Sequence, residues 1–292
     1  MSVPIVASIS DLREQIKSWR RAGQTIGVVP TMGGLHEGHL SLVRAAKQSC
    51  DRVIVTLFVN PRQFNNEDDY RKYPRTEEID AKLLAPLGVD VLFLPDGRDI
   101  YPDNHATSVI VSGVSKPLEG VYRPGHFDGV ATVVTILFNI TSPDRAFFGE
   151  KDWQQLQVVR TLVRDLKLPI DVVACPTIRS TDGLALSSRN MRLSADARQK
   201  AAKLSEALMC AAECIALGEP SADVLARARS ALGENEDFVV EYLEMRDAET
   251  LDEATAGRPA RLLASVWLDG VRLIDNVPLV PPMFDYRHLR SV

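Results

Sequence analysis

The chain has 292 residues, 45% of them hydrophobic, with 34 Lys+Arg against 39 Asp+Glu for a formal net charge of −5. That length admits one large domain or two ordinary ones, with a sizeable core. The acidic balance counts against a general nucleic-acid binder, which carries a basic excess, so no nucleic acid is expected as a partner.

No apolar run approaches the ~20 residues that cross a bilayer, and no membrane association is expected. The longest run, 130–140, is interrupted by Thr132, Thr135 and Asn139 and reads as a buried helix. The opening residues, MSVPIVASISDLREQ, lack a basic stretch followed by a long apolar one, so no secretory signal is expected. The four cysteines, Cys50, Cys175, Cys210 and Cys214, show no CxxC spacing. Free thiols in a reducing cytoplasm fit that pattern.

Residues 24–30 (QTIGVVP) form a short apolar run ending in Pro, as a buried parallel strand would. Residues 39–49 have helical apolar spacing. Residues 52–59 (RVIVTLFV) are β-branched and apolar nearly throughout, which predicts a central strand buried on both faces. A helix over 77–87 and a strand over 89–94 follow, the latter stopping at Pro95. Then come a helix over 126–140, a strand over 145–148, a helix over 153–166 and a strand over 171–175. This alternation predicts an α/β domain, a Rossmann-like doubly wound parallel sheet. After about residue 177 the texture changes. Alanine-rich helices over 196–217 and 222–232 and short strands over 238–245, 261–268 and 271–275 predict a smaller α+β domain. The expected division is 1–177 for the catalytic domain and 178–292 for a C-terminal domain closing over the active site. The Ser-, Gly- and Arg-rich segment 179–192 is expected at the junction.

Ligands of parallel α/β sheets sit beyond the carboxyl ends of the strands. The sharpest pattern there is Pro30-Thr31-Met32-Gly33-Gly34-Leu35-His36-Glu37-Gly38-His39. Its glycines allow close backbone approach to a ligand. A helix beginning near Leu35 would put His36 and His39 on one face of its first turn. Free N–H groups and the positive dipole end favour an anion there. Two of the chain's five histidines fall in this turn. The spacing is not the i, i+4 pair of a helical zinc site, so no protein metal site is predicted, and the loop is neither a Walker A loop nor a GxGxxG.

Lys151 and Asp152 follow the strand over 145–148. A Lys there is a point charge for phosphate, and an Asp can position Mg²⁺ or a hydroxyl. An exposed turn with an ion pair is the alternative. Ser187, Ser188 and Arg189 offer hydroxyls and a planar cation to a polyphosphate whose charge changes during reaction. A surface loop is the alternative. Asn60, Gln63 and Gln155 are neutral amides able to read hydroxyls and carboxylates, or else helix caps. His126, Tyr73 and Arg123 are candidate wall residues, with His126 also readable as a packed structural histidine.

An H-x-G-H after the first strand of an α/β domain resembles the signature of the nucleotidyltransferase superfamily. The fuller string VVPTMGGLHEGHLSLV is similar to one family within it, the pantothenate synthetases or pantoate–β-alanine ligases. Four further regions carry the resemblance in order. They are FVNPRQF from Phe58 with YPRT from Tyr73, GVYRPGHFDGV from Gly120, FFGEKDWQQ from Phe147, and DGLALSSRN from Asp182. Together these span roughly 24–192.

The resemblance implies ATP-dependent condensation of D-pantoate with β-alanine to pantothenate. The route would be a pantoyl-adenylate, with AMP and pyrophosphate released and no protein nucleophile needed. It implies a catalytic set of His36, His39, Lys151 and Arg189. The two histidines would contact the ATP phosphates, and Lys151, Ser187, Ser188 and Arg189 would hold them as charge moves onto pyrophosphate. Met32, Gly149, Asp152 and Leu186 would complete the nucleotide site, with Met32 and Leu186 packing on adenine or the pantoate methyls. Pro30, Thr31, Gln63 and Gln155 would bind pantoate, and Asn60 would line the amine side. Mg²⁺ would ride on the ATP phosphates rather than in a protein cage. A cytoplasmic homodimer is also implied.

Two departures stand out: Leu186 where the family frequently has Met, and Trp153 where it frequently has Tyr. Both preserve an apolar or aromatic wall. The tail 283–292 runs beyond the family's pattern, and docking on a partner subunit or disorder both stay open for it. The polar stretch 63–73 is either a mobile cover or a solvated loop. Two other functions remain: a transferase that leaves the nucleotide on its product, and a non-catalytic nucleotide-binding module. Product analysis separates the first, and ATP binding without turnover would mark the second.

Overall fold

The computed structural model describes residues 2–233 and 238–279. They fall into two compact units. The first comprises the chain up to Glu150 together with Gln154–Pro176, and the second comprises Lys151–Trp153 with the chain from Thr177 onward.

The first unit is built on β1 (Ile5–Val6), β2 (Ile26–Thr31), β3 (Arg52–Leu57), β4 (Val91–Phe93), β5 (Arg145–Gly149) and β6 (Asp171–Cys175). All pairings are parallel, in the order β1-β4-β3-β2-β5-β6. This is the Rossmann-like sheet that the alternation predicts. The apolar run of β3 is buried on both faces, with no exposed surface at Val53, Ile54 or Val55. Full burial of such side chains contributes about 1.5–3 kcal/mol each. The helix His126–Thr141 is apolar on nearly every side because it is buried on nearly every side. Among the described residues, no helix is long and apolar enough to cross a membrane.

Several bounds differ from expectation for identifiable reasons. The helix predicted over 77–87 ends at Leu84, and Ala85–Leu87, containing Pro86, tightens into a 3-10 turn. β1 and the helix Ile9–Arg21 were not anticipated. β1 has only two residues, and the helix buries only Leu12 and Ile16.

The second unit has an antiparallel sheet of β7 (Phe238–Asp247), β8 (Ala260–Leu268) and β9 (Val271–Leu279). Helices Ala202–Ala216 and Ser221–Gly233 pack on it through Leu204, Leu208 and Val224 against Leu262, Ala264 and Val266. The helix predicted over 196–217 is broken, Ala195–Lys200 ending before Ala202–Ala216 begins. β9 runs to Leu279 rather than stopping at 275. Asp275 and Asn276 read as a polar end, yet they are 3% and 4% exposed and fully engaged in pairing. The tail 283–292 lies outside the described residues.

One feature of the parallel sheet positions a site. From β2 the chain proceeds to β3 on one side, while β5 flanks β2 on the other. The β2–β5 boundary is therefore a topological switch point, the position at which open parallel sheets bind ligands. β2 pairs with β3 along its full length, Ile26 to Thr31. With β5 it pairs only at Gly27↔Arg145 and Val28↔Ala146. Beyond Val28 the carboxyl ends of β2 and β5 are no longer paired with each other, and β2 runs directly into the histidine turn.

Candidate active site

The helix after β2 begins at Glu37, not Leu35. His36 is its N-cap, with extended backbone (φ −140°). The His36 Nδ1 accepts from the Gly38 N–H at 3.1 Å, and the His39 Nδ1 accepts from the His36 N–H at 3.4 Å. The two imidazoles thus satisfy orphan helix donors reciprocally, the role Ser and Glu play in an ordinary capping box. The ring centroids are 4.2 Å apart. With both Nδ1 atoms accepting, the proton of each neutral ring sits on Nε2. The pair is a source of Nε2–H donors held at the positive end of a helix.

The turn before them is held by a residue that sequence reasoning missed. Gly33 and Gly34 have φ of +86° and +62°, the left-handed region. Their turn presents the Gly34 N–H to Asp80 Oδ2 at 3.0 Å and the Leu35 N–H to Asp80 Oδ1 at 2.9 Å. Thr76 Oγ1 donates to the same carboxylate at 3.1 Å. Asp80 is 1% exposed, so these bonds replace its hydration. Amphipathic spacing in EEIDAKLL would bury Ile79 and expose Asp80. The fold does the reverse, leaving Ile79 57% exposed. Thr31 is buried and donates through Oγ1 to the Thr56 carbonyl at 2.8 Å, while Pro30 and Met32 are half-buried beside it.

The amides after β3 form a second cluster. Asn60 Nδ2 donates to Gln63 Oε1 at 2.9 Å and to the Gly129 carbonyl at 3.1 Å. Its Oδ1 accepts from the Tyr101 hydroxyl at 2.9 Å and the Arg62 N–H at 3.3 Å. Asn60 is therefore a keystone, 1% exposed, whose amide is engaged on both atoms. Gln63 is oriented by it and, among the described residues, makes no donor bond through Nε2. The Gln63 carbonyl accepts from His126 Nδ1 at 2.8 Å and from Arg123 at 3.1 Å. His126 Nε2 in turn faces Arg123 at 3.2 Å, so this ring is the Nδ1–H tautomer and braces the Gln63 backbone. Gly129 is obligatory, since a Cβ there would stand 2.3 Å from the Arg62 carbonyl oxygen.

Tyr101 was not singled out by sequence. Burial pushes its hydroxyl up to about 12, against a smaller opposing effect of Arg62. The Arg62 guanidinium stacks 4.5 Å from the ring centroid. Tyr101 thus remains a donor to Asn60 at any ordinary pH.

The consecutive glutamines divide their labour. Gln154 is buried, its Oε1 accepting from the Glu119 N–H at 3.0 Å and its Nε2 donating to the carbonyls of Val114 and Pro117 at 2.9 and 2.7 Å. Gln155 is half-buried and, among the described residues, keeps its side-chain amide out of such bonds. Gly149 ends β5 with open space where a Cβ would stand.

The remaining expected residues belong to the second unit. The Lys151 ammonium is 3.7 Å from Asp152 Oδ1, with the Lys side chain 17% exposed. Ser187 caps a short 3-10 turn, Ser188–Arg192, its Oγ accepting from the Arg189 N–H at 3.3 Å. Ser188 is buried and Leu186 half-buried, the latter donating its N–H to the Ile178 carbonyl at 3.0 Å. Two arginines clamp the hairpin that leads into this turn. Arg198 grips Asp182 at 2.6 and 3.2 Å, holding that carboxyl far below the usual carboxylate range. Arg179 grips Asp275 at 2.7 and 2.9 Å and also donates to Ser205 Oγ at 2.9 Å.

A family model described as pantoate-beta-alanine ligase matches residues 4–278. The chain belongs to the pantoate-beta-alanine ligase family. A pantothenate synthetase of Paracoccus denitrificans is 66% identical over 277 residues, covering 95% of this chain and 98% of that protein. One from Chelativorans is 59% identical over 97% of this chain and 100% of its own length. The crystal structure of the pantothenate synthetase from Thermus thermophilus superposes with a TM-score of 0.89 at 43% identity, covering 96% of this chain and 100% of that one. A pantoate-beta-alanine ligase from Francisella tularensis, crystallised with a β,γ-ATP compound and β-alanine, superposes at 0.81 with 35% identity, covering 96% and 99%. The chain is a ligase of this family, joining pantoate to β-alanine with ATP as co-substrate. The fold these relatives share is the parallel sheet with a small antiparallel domain described above.

Proposed function

We propose that ligation here runs in two steps around the histidine turn. The pantoate carboxylate attacks the α-phosphorus of ATP, and pyrophosphate leaves. The β-alanine amine then attacks the carbonyl of the pantoyl-adenylate, and AMP leaves. A carboxylate is a poor electrophile at neutral pH, and adenylation supplies the leaving group. The protein's work is positioning and charge stabilisation.

The observation that carries this reading is the locked imidazole pair. Reciprocal Nδ1 bonds direct the protons of His36 and His39 to Nε2, at a helix N-terminus beside the switch point. Such donors suit charge building on the α-phosphate. Lys151, Ser187, Ser188 and Arg189 would take the departing pyrophosphate charge. Gly149, Asp152, Met32 and Leu186 would accept the rest of the nucleotide. Gln63 and Gln155, the amides with donors to spare, would read the pantoate hydroxyls and carboxylate beside Pro30 and Thr31. Asn60 would border the amine side and act chiefly by holding Gln63. Cationic and neutral donors of this kind match phosphate oxygens. Mg²⁺ would be carried on the ATP phosphates, where it neutralises charge. We also read the enzyme as a cytoplasmic homodimer, the free thiols of Cys50, Cys175, Cys210 and Cys214 suiting a reducing compartment.

The test is ATP–pyrophosphate isotope exchange with Mg²⁺, without β-alanine, in the presence and absence of D-pantoate. Exchange that requires pantoate is expected, with His36→Ala or His39→Ala slowing it by about 10²–10³-fold. Exchange without pantoate, or none in protein that binds ATP, would overturn the adenylate route.

A further inference from the structure

Two elements assigned above to the phosphates, Lys151 and the Ser187–Arg189 turn, are far apart in sequence. Adjacent residues of β9 hold the chain segments that carry both. Asn276 Nδ2 donates to the Lys151 carbonyl at 2.8 Å. Asp275, its neighbour, takes the bidentate grip of Arg179 and a bond from Ser205 Oγ at 2.8 Å. Arg179 sits at the base of the hairpin leading to Ser187, paired across it with Ala185. The backbone of Asn276 is tied into the same clamp. The Asn276 N–H donates to Asp275 Oδ1 at 2.7 Å, and Arg179 donates to the Asn276 carbonyl at 3.4 Å.

The Lys151 segment has a second fastening. Trp153 Nε1 donates to the Ala248 carbonyl at 2.8 Å, and the Arg261 guanidinium lies 3.5 Å from the Trp153 ring centroid. Arg261 is 4% exposed and belongs to the central strand β8. A buried polar pair in a strand otherwise made for a hydrophobic core is costly unless it does something. Here Asp275 bonds to Arg179 and to Ser205 on the helix Ala202–Ala216, and Asn276 bonds to the Lys151 carbonyl, so each is spent on another chain segment.

We propose that Asp275 and Asn276 are positioning residues that set Lys151 in register with the Ser187–Arg189 turn. Trp153 and Arg261 keep the Lys151 segment seated against β8. Neither Asp275 nor Asn276 contacts substrate, and both act through the backbone they hold. The proposal rests on the reading of Lys151 as a phosphate ligand.

Asn276→Ala removes one donor and leaves the hairpin clamp intact. The expected result is pantoate-dependent exchange slowed by about tenfold in kcat, with the pantoate KM changed by less than about twofold. Lys151→Met is the comparator, and the two together form a double-mutant cycle. In the Lys151→Met background, Asn276→Ala should slow exchange by no more than about twofold, because its effect is spent through the lysine. Losses that multiply fully in the double variant would overturn the proposal, as would an Asn276→Ala enzyme indistinguishable from the parent. Should Asn276→Ala fail to fold, Trp153→Phe, which removes the indole N–H and part of the ring while keeping an aromatic face for Arg261, carries the same cycle with the same two overturning results. Full exchange in Lys151→Met alone would instead overturn the phosphate role of Lys151, a distinguishable failure.

Discussion

The two units hold their candidate site residues by different chemistry. In the first, the amide cluster is fastened mainly by backbone N–H groups, carbonyls, neutral amides and one tyrosine. In the second, arginines grip carboxylates, Arg198 on Asp182 and Arg179 on Asp275. Neutral networks keep their geometry over a wide pH range but depend on steric fit. Ionic clamps tolerate small displacements but require both partners ionised. The difference says which perturbation each region should resist.

Steric fit is the sharpest point of attack, and the largest effect is expected from Gly129→Ala. The new methyl meets backbone at Arg62, which cannot swing aside as a side chain would. A stability loss of about 1–3 kcal/mol is expected from overpacking, and displacement of Gln63 should raise the pantoate KM by about tenfold or more. Denaturant midpoints and pantoate-dependent exchange check both.

Asp80→Asn comes next. One of the amide hydrogens of Gly34 or Leu35 would then face an NH₂ donor. A cost of about 1–3 kcal/mol follows from the buried unsatisfied group. Exchange should slow through kcat, with the pantoate KM little changed, since Asp80 braces the histidine turn and not the amide cluster.

Tyr101→Phe probes the pH contrast and should cost about 1 kcal/mol through the lost bond to Asn60. Burial raises the hydroxyl to about 12 in the folded protein, so folding favours its protonated form. That stability is fully present below the unfolded value near pH 10 and is lost as pH rises through about 12. Urea midpoints between about pH 9 and 11.5 should fall more steeply for the parent than for Tyr101→Phe.

The smallest effect belongs to the exposed clamp. Arg198 and its hydrogen bond hold the Asp182 carboxyl low, so the pair stabilises above about pH 4 and is lost as pH falls through the lowered folded-state value. With the Asp182 side chain 39% exposed, solvent screening keeps the contribution under about 1 kcal/mol. Arg198→Ala should therefore leave exchange at neutral pH nearly intact. Its thermal midpoint should converge with that of the parent under acid conditions.

Much of the first unit was legible because its signals are local. The apolar run of β3 must be buried on both faces, and the glycines with two histidines after β2 mark a tight turn between a strand end and a helix start. The roles inside the site were less legible. Asn60 and Gln63 look alike as neutral amides, and so do Gln154 and Gln155. Which member is spent on the protein and which keeps a donor depends on Tyr101, Gly129, Glu119 and Val114, residues 35 or more positions away that the fold brings close.

By itself the sequence determined the alternating α/β order, the switch to a second texture near residue 177 and the family, since these rest on local periodicity and on motifs read along the chain. The tertiary structure alone decided that Asp80 is buried and Ile79 exposed, and that His36 caps the helix rather than entering it. It also decided that β9 continues past Asp275 through Asn276 to Leu279. For Asp80 and for Asp275 a polar group is buried because distant backbone or side chains supply the hydrogen bonds that water would otherwise have made, whereas His36 is fixed by local bonds to its own helix start.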